Sequence, residues 1–145
     1  GINNEASFNS QIAPLATVVF PVGGGNNPSE PMDVAIGLAI EGAAFMGDWR
    51  PSAAKYLIIF TDNLPSGADD QFDNVDVQRL AQLSATCSSL GIRCFVMGVG
   101  NNRTYTPPTG GTIYPWRVFA LDTGGDWNLS YNAGAISEFI TNQCP

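Results

Sequence analysis

The stretch Lys55-Tyr-Leu-Ile-Ile-Phe-Thr-Asp62 decides the fold. It is a continuous apolar run closed by Thr-Asp, which suits a strand buried on both faces, as in a parallel sheet. A polar loop rich in Asp, Gly and Pro follows, from Asn63 to Asn74. From Val75 to Leu90 the residues Val77, Leu80, Ala81, Leu83, Ser84 and Cys87 fall at helical spacing, and Gly91 is a good stop. Ile92-Arg-Cys-Phe-Val-Met-Gly-Val-Gly100 then reads as a second buried strand. Strand, helix, strand is a βαβ unit, for which a right-handed crossover is expected.

Working outward, Met32 to Phe45 has apolar residues at Met32, Ala35, Ile36, Ala39, Ile40, Ala43 and Ala44, the spacing of an amphipathic helix. Ahead of it lies a glycine-rich loop, Gly23-Gly-Gly-Asn-Asn-Pro-Ser-Glu-Pro31, and behind it a turn, Gly47-Asp-Trp-Arg-Pro51. Ala6 to Leu15 reads as a short helix and Thr17 to Pro21 as a short extended piece. Downstream, Asn101 to Pro115 is a loop with three prolines and two adjacent glycines. Trp116 to Leu121 is a short helix or a short strand; period alone does not separate them. Asp126 to Ser130 reads as the last strand, and Ala133 to Asn142 as a closing helix with Ile136, Phe139 and Ile140 inward. There is no internal repeat and no dividing linker. The expectation is one α/β domain over residues 1–145, Rossmann-like, with a mostly parallel sheet flanked by helices.

Composition narrows the function. Hydrophobic residues make up 44% of the 145, enough for a core. With 13 acids, 6 bases and a net charge of −7, the chain is a poor partner for nucleic acid or an anionic membrane surface. No stretch approaches the ~20 apolar residues a membrane span needs. The chain starts at Gly1 without a visible signal peptide, the expectation for a mature, processed or trimmed product. Lysine occurs once, and two N-glycosylation sequons begin at Asn102 and Asn128, which points outside the cell. Catalysis is not expected. There is no histidine for a Ser-His or Cys-His pair, and no phosphate-loop lysine follows the glycine run. Paired carboxylates can do acid–base work, but nothing in the sequence selects a pair.

The cysteines are Cys87, Cys94 and Cys144. Cys87 and Cys94 flank a helix-to-strand turn and can bridge locally, leaving Cys144 without a partner in this segment; three buried reduced thiols are the other reading. Asp69, Asp70, Asp73 and Asp76 form an acidic cluster that reads either as a Ca²⁺ loop or as a solvated loop with Asp at a helix N-terminus. Glu30 and Asp33 fall in a helix's first turn, where acids are favoured anyway. Trp49, Trp116 and Trp127 read as core or interface anchors.

Three segments in this order resemble the von Willebrand factor A family. Gly23 to Asp33 followed by Ala35-Ile-Gly-Leu-Ala39 looks like the family's glycine-rich loop and helix. Asp48 to Asp62 looks like its fourth strand, ending in Thr-Asp. Leu90 to Gly100 looks like its fifth strand with a Gly-Val-Gly exit, and Trp116 onward resembles the sixth strand and last helix. The resemblance implies an extracellular adhesion module that binds a protein or matrix ligand through Mg²⁺ or Mn²⁺ at the top of the sheet. Asp62 matches the fourth-strand aspartate, and Asn27, or Asn26 with the loop shifted by one, stands where the family has threonine. Glu30, Asp69 and Asp70 are candidates for a second metal, with Ca²⁺ a further possibility. Oxygen donors suit such hard cations, and loops beyond the carboxyl ends of parallel strands converge there.

The family's Asp-x-Ser-x-Ser is absent, and the chain enters the pattern just before the glycine-rich loop, so it resembles the C-terminal two-thirds of a domain. A buried strand normally lies beside the fourth, so a second polypeptide segment is expected to complete the sheet; Cys144 can then pair with a cysteine in that piece. In a circularly permuted alternative, Val118-Phe-Ala-Leu-Asp-Thr-Gly-Gly-Asp126 is the first strand and its motif. A role as a structural subunit of an extracellular fibre or matrix, without metal-dependent binding, is the competing function.

Overall fold

The computed structural model describes residues 29–41, 49–67, 69, 71–98, 104–129, 134 and 138, the side chains of 29 and 30 excepted. The elements are β1 (Ser29–Glu30), α1 (Met32–Glu41), β2 (Lys55–Thr61), β3 (Leu64–Pro65), α2 (Asn74–Ser89), β4 (Ile92–Gly98), α3 (Pro115–Asp122) and β5 (Asp126–Asn128). Gly134 and Glu138 are helical, within the stretch expected to close the domain. The short N-terminal helix and extended piece, and the turn from Gly47 to Asp48, lie outside the described residues.

β2, β4 and β5 form a parallel sheet in that order, and three helices flank it: a Rossmann-like α/β arrangement. Lys55 pairs with Ile92 and Thr61 with Gly98, so β2 and β4 run in register over their full length. Phe95 to Met97 pair with Asp126 to Asn128. β2–α2–β4 and β4–α3–β5 are thus successive strand–helix–strand units. A smaller parallel pair joins β1 to β3, Ser29 with Leu64 and Glu30 with Pro65. Neither short strand was legible in the sequence; both sat inside segments that read as loops.

Local chemistry sets the helix limits. Asp73 caps α2: its Oδ1 accepts the Val75 N–H at 2.6 Å, and Asp76 Oδ2 accepts the Asp73 N–H at 2.8 Å. This capping box satisfies donors that a helix start leaves open. Past the far end, Gly91 takes φ 67°, a conformation glycine adopts without steric cost, and the chain reverses into β4. Lys55 Nζ donates to Leu90 O at 2.7 Å and ties β2 to that reversal. α3 begins with Pro115, whose missing N–H costs nothing at a first helical position. The segment Pro115–Asp122 is helical, which overturns the permuted alternative that made a strand from Val118 onward.

The core lies between one face of the sheet and the three helices. Ile36 and Ile40 of α1, Leu80, Leu83 and Cys87 of α2, and Trp116, Phe119 and Ala120 of α3 close over Ile59, Ile92, Cys94 and Val96. Phe95 and Met97 form a second cluster on the other face with Tyr56 and Ile58. β4 is buried at every position but Arg93, because β2 and β5 cover both its edges. β2 is less buried than its apolar run implied, and Phe60 is 43% exposed. The expectation of a further strand beyond β2 concerns residues outside those described.

Candidate functional site

β2 ends at Thr61, which is buried. Its Oγ1 donates to Asn63 O at 3.0 Å and accepts the Asn63 N–H at 3.3 Å. That side-chain turn is a common way for threonine to close a strand. It leaves Asp62 on the outside, exposed at the carboxyl end of the sheet. In parallel α/β folds this end is where ligands bind.

The first turns of α1 and α3 hold the loop that leaves β2, and that of α2 lies beside it. From α1, Asp33 Oδ1 accepts the Gly67 N–H at 3.1 Å. From α2, Asp76 Oδ1 lies 3.0 Å from where a Cβ on Gly67 would stand, and Asp33 Oδ2 lies 4.0 Å from the same point. Gly67 has φ 57°, so any side chain there is strained as well as crowded. From α3, Trp116 Nε1 donates to Asn63 O at 2.7 Å. Asp62 therefore sits on a loop whose position is set by the helical layer.

Asp33 and Asp76 are 2% and 5% exposed. Burial pushes the Asp76 carboxyl above its ordinary pKa, the neighbouring Asp33, Asp73 and Asp69 charges push the same way, and the hydrogen bond from the Asp73 N–H opposes them. A raised folded-state pKa means the folded chain binds the proton more readily than the unfolded chain. Asp76 therefore favours folding most at low pH, and that contribution is lost as pH rises from the ordinary carboxylate range through the raised value. Asp76→Asn keeps an oxygen for the Asp73 N–H and removes the charge. It is expected to match or exceed the parent in urea stability at pH 7, with the advantage shrinking as pH falls. Asp76→Ala loses the cap and is expected to cost about 1 kcal/mol at pH 7. Urea melts at several pH values check both.

The same loop carries oxygen atoms without commitments. Among the described residues, Ser66 Oγ and Asn63 Oδ1 are buried with no hydrogen-bond partner. Amide, hydroxyl and carboxylate oxygens are the donors a hard divalent cation takes, so with Asp62 the loop fits such an ion in kind. No three Asp, Glu, Cys or His side chains come together to hold a metal among the described residues.

The remaining candidates are placed as follows. Asn26, Asn27, Asp70, Asn102 and Cys144 lie outside the described residues, as does the Glu30 side chain. Asp69 is exposed and its Oδ1 accepts the Gln71 N–H at 3.1 Å, a local turn. Asn128 is half-buried at the end of β5, within the stretch read as the last strand. Cys87 and Cys94 are buried free thiols with Sγ atoms 3.6 Å apart. Trp116 is an anchor as expected; Trp127 is half-buried with its ring 5.9 Å from that of Tyr114, and Trp49 is half-buried. Sequence reasoning missed the roles of Asp33 and Asp76. The signal was present: Asp33 lies in phase with Ile36 and Ile40, and Asp76 with Leu80, Leu83 and Cys87, so each carboxylate falls on the buried stripe.

No family model matches the chain, and no curated protein sequence matches it. Among solved structures, the crystal structure of the conserved hypothetical protein BatB from Bacteroides thetaiotaomicron is similar at 21% identity with a TM-score of 0.42. The similarity covers 74% of this chain and 58% of that one, so the chain spans less than two-thirds of that protein's length.

Proposed function

We propose that this domain is a protein-binding module of the von Willebrand factor A type, acting outside the cell, with its ligand face at the carboxyl end of β2. The observation that carries the reading is Asp62, an exposed carboxylate directly after the strand's closing Thr61, on a loop tied by hydrogen bonds to the first turns of α1 and α3. Rigid scaffolds that present a polar loop are how binding surfaces are commonly built. A catalytic role is not part of the reading. The sequence has no histidine, and one oxygen of each buried carboxylate already accepts a backbone N–H.

A Mg²⁺ or Mn²⁺ ion at this face would be held by Asp62, with Asn63 Oδ1 and Ser66 Oγ as the neutral loop oxygens that have no hydrogen-bond partner. Bound there, it would supply positive charge for a carboxylate of the ligand. The chain's own residues fix the loop and leave Asp62 facing water. The expected result is one Mn²⁺ site by electron paramagnetic resonance titration of the full chain, lost in Asp62→Ala with an unchanged melting temperature. Chelator and Asp62→Ala are then expected to abolish binding to immobilised matrix protein.

The asparagine, Asn27, that stands where the family has its metal-site threonine favours a second reading: a structural subunit of an extracellular assembly. In that case the parent chain takes up no Mn²⁺, and its self-association by sedimentation is indifferent to chelator and to Asp62→Ala.

A further inference from the structure

Cys87 lies near the end of α2 and Cys94 is the third residue of β4. The reversal at Gly91 folds the helix end back over the strand and brings the two side chains into the same core. Both thiols are 0% exposed, and the Cys94 S–H points at Cys87 Sγ across 3.6 Å. The backbone around them is pinned. The Cys94 N–H donates to Thr123 Oγ1 at 2.9 Å, and that hydroxyl donates to Ala120 O at 2.7 Å. The pair therefore sits where α2, β4 and α3 meet.

We propose that Cys87 and Cys94 form a disulfide that staples the end of α2 to β4. A disulfide bond is about 2.05 Å long, so closure needs a sulfur–sulfur approach of roughly 1.5 Å, a matter of small side-chain rotations. The oxidant is a low-molecular-weight disulfide such as glutathione disulfide. The Cys87 thiolate attacks one of its sulfurs and releases a thiolate, giving a mixed disulfide. The Cys94 thiolate then attacks Cys87 Sγ, expelling the second thiol. Two S–H bonds of the chain become one S–S bond, and the external disulfide takes the two electrons and leaves as two thiols. Because the native core leaves no room for the mixed disulfide, exchange belongs to the folding or opened chain.

The staple stands apart from the proposed ligand face. Cys94 pairs with Leu57, while Asp62 lies beyond Thr61 at the other end of the strand. Its test therefore does not depend on whether Asp62 binds anything.

The full chain, reduced and unfolded, is refolded in a glutathione redox buffer and mapped with trypsin. Cleavage after Arg79, Arg93 and Arg103 puts Cys87 in peptide 80–93 and Cys94 in peptide 94–103, while Cys144 falls in peptide 118–145. The expected product is 80–93 joined to 94–103. In Cys144→Ser the intact mass falls by about 2 Da, and the melting temperature rises by roughly 5–10 °C over the reduced form. Formation and folding are linked, so the equilibrium constant against glutathione is expected to be about tenfold or more higher in folded than in urea-unfolded chain. Two alkylatable thiols at equilibrium overturn the proposal. So does a bond from Cys144 to either cysteine in the parent chain, or a constant no higher in the folded state.

Discussion

Gly125→Ala is expected to lose roughly 3 kcal/mol or more of stability, and to do so without touching any side chain. A Cβ on Gly125 would overlap Cys94 O and stand 2.6 Å from Cys94 C. Both are backbone atoms of the central strand, and neither has a rotamer by which to give way. Cys94 cannot retreat, because its strand is paired on both sides and its N–H is held by Thr123. Gly125 is no freer: its N–H donates to Ala120 O at 3.1 Å, at the end of α3. The substitution must lift either β5 or the end of α3 off β4. The neighbouring Gly124 makes the control. It has φ 71° but nothing within 4 Å of its Cβ position, so Gly124→Ala carries only left-handed strain, about 1–2 kcal/mol. Urea denaturation of the two variants separates crowding from conformation. Equal losses at the two positions would mean that β5 is not seated as closely as described.

How much of this was legible without coordinates follows from the kind of signal each element carries. β4 and α2 stood out because burial imposes a pattern over many residues: an apolar run interrupted only by Arg93 in one, a helical stripe ending at Gly91 in the other. The Pro115–Asp122 helix was ambiguous because eight residues are too few for a period to declare itself, and Pro115 as a first helical residue was the better clue. β1 and β3 were invisible, since a two-residue strand has no pattern at all and exists only through its pairing. Of the candidate site, the position of Asp62 was legible because it directly follows the end of a strand. Asp33 read as an ordinary first-turn acid and Asp76 as one of an acidic cluster, a Ca²⁺ loop or a solvated one, although both fall in phase with the buried stripe of their helices. Two carboxylates that independently break a buried stripe are a sign that the helices start at a common polar point, here Gly67.

The helical layer makes the proposed ligand face depend on residues far from it in character, and Phe119→Ala tests the dependence. Phe119 is 1% exposed and packs edge-on against Trp116, ring centroids 5.9 Å apart at 87°. Removing the ring leaves a cavity among Leu80, Leu83 and Ala120 as well as the lost transfer free energy, an expected cost of about 3–5 kcal/mol. Val118→Ala on the same helix, at a site 47% exposed, is expected to stay within about 0.5 kcal/mol. The cavity also frees one side of Trp116, whose indole N–H holds Asn63 O and with it the turn that presents Asp62. Phe119→Ala should therefore shift Trp116 fluorescence to the red under fully native conditions, while Phe119→Leu, which keeps most of the packing, should cost less than about 1.5 kcal/mol and leave emission near that of the parent. A large stability loss with unchanged emission would detach the loop from the core: the turn would then be held by Thr61 alone, and the helical layer would serve the fold without setting the position of Asp62.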